Sequence, residues 1–291
     1  MYIPRTIEPL IENHLFKGKI ILISGARQVG KTTLVKKLAR KAADTYLYLN
    51  CDESDIKQRL DSATTSTQLK MVIGNYKLVL IDEAQRIKDI GLKLKLLVDT
   101  FPGQQIIATG SSSLDLANKT QEALTGRNYE FLLYPLSLPE LRQELGELEI
   151  ARQLETFLIY GLYPDVYRQP TLPEKMETIK TLTQNYLYKD IVTISEQKKS
   201  ETLTKLLQAL ALQIGNEVSY NELANLVGVS KQLIAKYIEL LEKVYIIFKL
   251  PPFSRNLRKE LSKNRKIYFY DTGIRNAIIN QFNSLSLRDD A

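Results

Sequence analysis

The chain has 291 residues, 44% hydrophobic and 25% charged, the composition of a globular protein with room for two domains. Cys51 is its one cysteine and His14 its one histidine, which excludes an internal disulfide, a cysteine or histidine zinc site and any histidine-based triad. The net charge of +7 favours polyanionic partners, nucleic acid before membrane.

The N-terminal MYIPRTIEPLIENHLFKGK has no apolar stretch like a signal peptide. No run in the chain approaches the roughly 18 apolar residues of a membrane span, so a cytoplasmic protein is expected. His14 reads as a surface residue. Lys19 to Ser24 (KIILIS) is a continuous apolar run, as a strand buried on both faces requires. A Gly-rich turn follows, and then a helix to about Ala43. Further strands are predicted at Thr45 to Asn50, Lys77 to Asp82, Gln104 to Thr109 and Tyr129 to Tyr134. Strands alternating with helices predict an α/β parallel sheet covered on both faces.

After Pro135 the pattern is helical to about Gly215, broken at Gly161-Leu162-Tyr163-Pro164 and at Gln169-Pro170. Ser219-Tyr220-Asn221-Glu222 then reads as a capping box. Gly228-Val229-Ser230 reads as a tight turn into a second helix, with Ile234, Tyr237, Ile238 and Leu241 on one face. Tyr245 to Leu250, a basic loop and Lys266 to Tyr270 form a hairpin, and the whole reads as a winged helix-turn-helix. The expected division is a core at 1–140, a helical segment at 141–214 and a winged helix at 215–291.

Gly25-Ala26-Arg27-Gln28-Val29-Gly30-Lys31-Thr32 fits G-x-x-x-x-G-K-[ST] between a buried strand and a helix. Glycines let the backbone turn its N–H groups toward phosphate oxygens, and the helix N-terminus adds its positive dipole end. These residues and Thr33 form the expected ATP-binding set. Lys31 reaches the β- and γ-phosphates, and the Thr32 hydroxyl ligates Mg²⁺.

Leu78-Val79-Leu80-Ile81-Asp82-Glu83 puts two acids at the carboxyl edge of the sheet, where ligands of open α/β folds bind. Asp82 is expected to hold the Mg²⁺ shell. Glu83 is expected to orient and polarise the attacking water, a role that favours hydrolysis over phosphotransfer. A P-loop kinase would need an acceptor pocket and a mobile basic lid, and neither stands out. Thr109 and Ser111 end the fourth strand as candidate γ-phosphate sensors or water-holding hydroxyls, against the alternative of a helix cap or turn. Arg127 is a candidate arginine finger or a solvated charge. Cys51 and Asp52 either approach the site or form a plain loop.

The segments GARQVGKTT, LIDEAQRI, ATGSSS, LTGRNYEFLLYPLSLPEL, YGLYPDVY and YFYDTGIRNA occur in this order. Together they closely resemble a group of bacterial and archaeal AAA-type ATPases, over essentially the whole chain. In that group the ATPase core is followed by a winged helix and then by a domain resembling restriction endonucleases. The resemblance implies the roles given above for Lys31, Thr32, Asp82 and Glu83. It points also to Gln85, Thr109, Ser111 and Arg127, and it implies a Thr109 strand lying between the P-loop strand and the Asp82 strand. AAA-type active sites commonly form between subunits, which implies a homo-oligomer with Arg127 acting in cis or in trans. The chain stops at Leu287-Arg288-Asp289-Asp290-Ala291, about where the nuclease-like domain begins in that group, and shows no acid-and-lysine nuclease core. Either the chain is cut short or the natural protein lacks that domain, which puts nuclease activity of this chain in doubt.

Between Phe253 and Lys266 lie Arg255, Arg258, Lys259, Lys263 and Arg265 against a single acid, Glu260. This basic wing contacts duplex DNA phosphates, with Lys231 and Gln232 toward a groove, or it is a protein-docking surface. Glu239 and Glu242 on the same helix count against DNA. The expected function is Mg-dependent ATP hydrolysis coupled to a conformational change on or near DNA. The alternative is a slow nucleotide switch gating a protein partner.

Overall fold

The computed structural model of the protein describes residues 2–111, 124–192, 198–252 and 265–288. Its contacts divide the chain into two units, Met1–Tyr134 and Pro135–Ala291.

In the first unit, β1 (Ile20–Ser24), β2 (Leu47–Asn50), β3 (Leu78–Asp82), β4 (Gln105–Gly110) and β5 (Asn128–Leu132) form one sheet in the order β2-β3-β4-β1-β5. Every pairing is parallel. β4 therefore lies between β1 and β3, as the family resemblance implies. The apolar runs are long because both faces are covered. On one face Ile20, Leu22, Val79, Ile81, Ile106 and Ala108 pack with residues of α3 (Ser54–Ser62), α4 (Ser66–Ile73) and α5 (Ile90–Thr100). The alternate residues Ile21, Ile23, Leu78, Leu80 and Ile107 are buried as well, and α2 (Lys31–Ala42) packs against β3 and β4. Successive strand residues point to opposite faces, so Asp82 shares the face of Leu80, toward α2. A short α1 (Glu8–Glu12) packs on α2.

The second unit holds α6 (Leu138–Tyr160), α7 (Pro164–Tyr167), α8 (Leu172–Val192) and α9 (Lys198–Leu212). β6 (Glu217–Val218), α10 (Tyr220–Val227), α11 (Lys231–Lys243), β7 (Ile247–Leu250), β8 (Arg265–Phe269) and α12 (Thr272–Ile278) follow. Gly146, at φ 77°, kinks α6. The Ser219 and Ser230 side chains accept from the Glu222 and Leu233 amides, and each such cap contributes about 1 kcal/mol. β6, β8 and β7 form an antiparallel sheet in that order. β6 pairs with the start of β8 and was not foreseen, because a two-residue strand carries no periodicity.

The change of pattern after about residue 214, from helices to a helix pair and hairpin, predicts a boundary there. In the structure α12 packs on α6, α8 and α9, so residues on both sides of that point share one core. Two segments that carry the resemblance, around Gly161 and around Asp271, clasp each other. The Asp271 carboxylate accepts from the Leu162 amide at 2.7 Å and caps α12 through the Ile274 amide at 3.1 Å. The Asn276 amide group donates to the Leu158 and Ile159 carbonyls, at 3.0 and 2.7 Å. A side chain on Gly273 would collide with the Tyr160 carbonyl. Among the described residues, no helix is long and apolar enough to cross a membrane.

Candidate nucleotide site

β1 ends at Ser24 and the chain enters the Gly-rich turn at the carboxyl edge of the sheet. Gly25 has φ +151°, and a β-carbon there would strike the Leu133 carbonyl, so only glycine fits. Gly30, at φ 97°, opens α2 and supplies no capping side chain. The N–H groups of the first turn are thereby left to whatever the loop encloses. The Val29 side chain is fully buried and roots the loop in the core. Ala26 is buried, Arg27 half-buried, and Gln28 and Thr33 exposed. The Lys31 ammonium is only 5% exposed and lies back over the loop, donating to the Gly25 carbonyl at 2.9 Å and the Ala26 carbonyl at 2.8 Å.

The Asp82 carboxylate is the meeting point of three elements. Its Oδ2 accepts from the Thr32 hydroxyl at 2.7 Å and from the Tyr48 phenol at 2.8 Å. Its Oδ1 accepts from the Thr109 hydroxyl. Burial first, and then the bond to Asp82, push the Tyr48 phenol well above its ordinary pKa, so it stays a proton donor. Tyr48 pairs with Leu80 in the sheet and shares its face, which aims the phenol at Asp82. The Lys36 ammonium lies 3.8 Å over the Tyr48 ring.

Glu83 follows in the left-handed region, at φ 53° and ψ 42°, an uncommon conformation for a side chain of this size. This turns its carboxylate beside the end of β4. There Glu83 Oε2 accepts from the Ser111 hydroxyl at 3.0 Å and from the Gln85 amide at 2.5 Å. The same Gln85 nitrogen lies 3.0 Å from Ser111 Oγ, while Gln85 Oε1 is buried without a hydrogen-bond partner among the described residues. The Glu83 amide donates to Thr109 Oγ1 at 3.2 Å.

A glycine-turned loop, a buried lysine at a helix start and a buried acid–hydroxyl pair thus stand together on a parallel sheet, and the comparisons agree with this geometry. Residues 17–142 match the AAA domain family. Residues 151–285 match a domain of unknown function, DUF8612. An uncharacterized protein of Methanocaldococcus jannaschii, MJ1544, is 28% identical over 262 residues, 84% of this chain and 59% of that protein. An uncharacterized protein of Mycobacterium tuberculosis, Rv2008c, is 26% identical over 275 residues, 94% of this chain and 59% of that protein. The chain spans about three-fifths of the length of these curated relatives. Among solved structures, a Walker-type ATPase of Pyrococcus abyssi matches with a TM-score of 0.64 at 14% identity, covering 96% of both chains. That likeness is one of fold. The family match and the likeness of fold both cover the stretch that holds the loop of Gly25 to Thr32.

Within the first unit, Lys31, Thr32, Asp82, Glu83, Thr109 and Ser111 come together, and Arg127 does not. The Arg127 carbonyl accepts from the Ile20 amide at the start of β1, while the loop of Gly25 to Lys31 leaves the end of that strand. Arg127 therefore lies at the amino edge of the sheet, opposite the loop, with its guanidinium on Asp99 at 2.6 Å. A residue just before a parallel strand must lie there, which excludes a finger for its own loop, and the exposed ion pair with Asp99 is what the alternative of a solvated charge expects. Cys51 is buried in the core, its thiol pushed up to about 12 by burial and then by Asp82 and nearby carboxylates. Asp52 is exposed and pairs with Arg86. His14 is partly covered, its ring edge-on to Tyr129 at 4.2 Å.

Tyr48, and Arg5 on the N-terminal segment, are site residues that no motif announces. Arg255, Arg258, Lys259 and Lys263 lie outside the described residues, and Arg265 begins β8 in an exposed position. Among the described residues, no group of three or more His, Cys, Asp or Glu is placed to hold a metal ion. Asp82 and the Thr32 hydroxyl offer the few oxygens that suit Mg²⁺, which is usually shared between one or two carboxylates and substrate phosphates.

Proposed function

We propose that the chain binds Mg-ATP at the loop of Gly25 to Thr33 and hydrolyses it. One observation carries this reading: the Glu83 carboxylate stands one residue past the buried Asp82, beside the Ser111 hydroxyl, on the strand two places from the loop's own. Backbone N–H groups of the loop and the start of α2 bind phosphate oxygens, and the Lys31 ammonium exchanges its two carbonyl partners for them. Thr32 and Asp82 hold the metal, and Tyr48 and Thr109 fix the carboxylate that does so. Mg²⁺, when bound, neutralises phosphate charge as it develops in the transition state. Glu83 accepts a proton from the attacking water, Ser111 and Gln85 position that carboxylate, and Thr109 holds the Glu83 backbone amide.

Glu83→Gln preserves the acceptor oxygen for Ser111 and Gln85 but removes the base. Steady-state phosphate release is expected to fall by about 100-fold or more, with ATP affinity within a few-fold of wild type. Equal turnover in the two proteins would remove Glu83 from the mechanism.

A second reading is favoured by the same contacts. Both Gln85 and Ser111 engage Glu83 Oε2, which holds the base in place until the site rearranges. A slow switch, with ATP binding as the signal and hydrolysis as the reset, is built that way.

For the second unit we propose a winged helix, with α10 and α11 as its helix pair and β7 and β8 flanking a basic wing that contacts duplex DNA. Binding is then salt-sensitive and largely indifferent to sequence. Neutralising Arg258, Lys259, Lys263 and Arg265 together is expected to reduce the log–log salt slope by about 3 to 4. Absence of DNA binding by the wild type at low salt would make the wing a protein-docking surface instead.

A further inference from the structure

The N-terminal segment brings one buried cation against the phosphate loop from outside. Arg5 is 6% exposed. Its Nη1 donates to the Val29 carbonyl at 2.9 Å, and its Nη2 donates to the Tyr134 carbonyl at 2.5 Å. Its own backbone is held in turn. The Arg5 amide donates to Glu8 Oε1 at 2.6 Å, and Glu8 is tied to α2 through Lys37 at 3.2 Å. The guanidinium is thus a planar fork placed between two carbonyls, an arrangement for which arginine is suited and lysine is not.

The Val29 carbonyl belongs to the peptide that also carries the Gly30 N–H. That peptide is trans, as every peptide bond among the described residues is. In a trans peptide the C=O and N–H point in opposite directions. A donor that holds the carbonyl on the outer side of the loop therefore holds the N–H toward the inner side. Gly30, at φ 97°, has no side chain to resist a peptide flip, so this plane needs an external clamp. The other end of the clamp is equally placed. Tyr134 follows Leu133, whose amide donates to the Ser24 carbonyl at 2.8 Å and whose own carbonyl faces Gly25. One guanidinium thereby fastens the last turn of the loop to the strand segment that abuts its first residue.

We propose that Arg5 is a positioning residue for nucleotide binding: it orients the Gly30 N–H into the phosphate cradle and pins the cradle to the chain leaving β5. The proposal rests on the reading of this loop as an ATP site. Arg5 acts on the ground state and the transition state alike, since it shapes the cradle and not the water or its base. Such uniform binding moves KM and leaves kcat in place.

The test is equilibrium binding of ATP and of ADP, together with steady-state kinetics, for wild type, Arg5→Ala and Arg5→Lys. Losing one aligned N–H to a charged phosphate is expected to weaken both nucleotides by about 10- to 100-fold in Arg5→Ala. KM is expected to rise in step, with kcat within about threefold. Arg5→Lys, which keeps the charge but not the fork, is expected to fall between the two and serves as the probe if Arg5→Ala fails to fold. Millimolar guanidinium is expected to restore part of the affinity of Arg5→Ala and to do nothing for wild type. A folded Arg5 variant that binds both nucleotides like the wild type would overturn the proposal. If the wild type itself binds neither nucleotide, the ATP-site reading fails, a result separable from any change at Arg5.

Discussion

Lys31→Ala is expected to lower ATP affinity by about 30-fold while the protein stays folded. A unit charge about 4 Å from a phosphate oxygen is worth about 4 kcal/mol at an effective dielectric constant of 20. Against this stand the two carbonyl bonds that Lys31 gives up, to Gly25 and Ala26, worth about 1 kcal/mol each net. The difference, about 2 kcal/mol, is a factor of about 30. The fold should persist because the side chain packs over the loop and not among the core residues of the sheet. Titration with a fluorescent ATP analogue, beside a thermal melt, measures both quantities. A Lys31→Ala protein that binds ATP like wild type would mean that the ammonium never leaves its carbonyls.

The second large effect is on stability, in the other unit. Gly161→Ala is expected to destabilise Pro135–Ala291 by about 4 kcal/mol. Gly161 has φ 77°, and its added methyl would fall on the Asp271 carboxylate. That carboxylate is buried and satisfied by the Leu162, Gly273 and Ile274 amides. Moving it strands three backbone donors and a buried acid at once. Burial pushes Asp271 up to about 6 even though those three amides pull it down. Its folded value lies above the ordinary carboxyl pKa of about 4, so its contribution to stability is largest below about pH 4 and declines as pH rises to about 6. Differential scanning calorimetry reads both the variant and the pH trend. An unchanged melt for Gly161→Ala would show that the Gly161–Asp271 clasp does not hold this unit together.

The centre of the sheet was readable from the sequence because β1, β3 and β4 are buried on both faces, and a four- or five-residue apolar run has no other economical place in an α/β protein. Its order was not readable from the runs themselves. Pairing β4 between β1 and β3 depends on contacts between distant segments, and only the family resemblance supplied it. In the site, Lys31, Thr32, Asp82 and Glu83 were readable because each belongs to a short contiguous pattern with a physical reason for its spacing. Tyr48 and Arg5 were not. Tyr48 reaches Asp82 across 34 residues, and Arg5 reaches Tyr134 across 129, so neither leaves a local trace. Arg127 is a different case, because the signal was present. A parallel sheet was already inferred, and the residue before a parallel strand lies at the edge away from the phosphate loop. The clasp of Gly161 with Asp271 explains why two segments that share no chemistry with ATP accompany the phosphate loop in this sequence. They are joined by packing and not by the reaction.

The most direct test of the account is a single-turnover experiment with the protein in excess over γ-labelled ATP, with and without Mg²⁺, in wild type and Glu83→Gln. Working in excess removes product release from the measurement, so only binding, any rearrangement of the site and chemistry remain. The account predicts that the wild type releases labelled phosphate in a Mg²⁺-dependent step, while Glu83→Gln retains the label as bound, intact ATP. Intact ATP recovered from both proteins, or phosphate released equally by both, would contradict it.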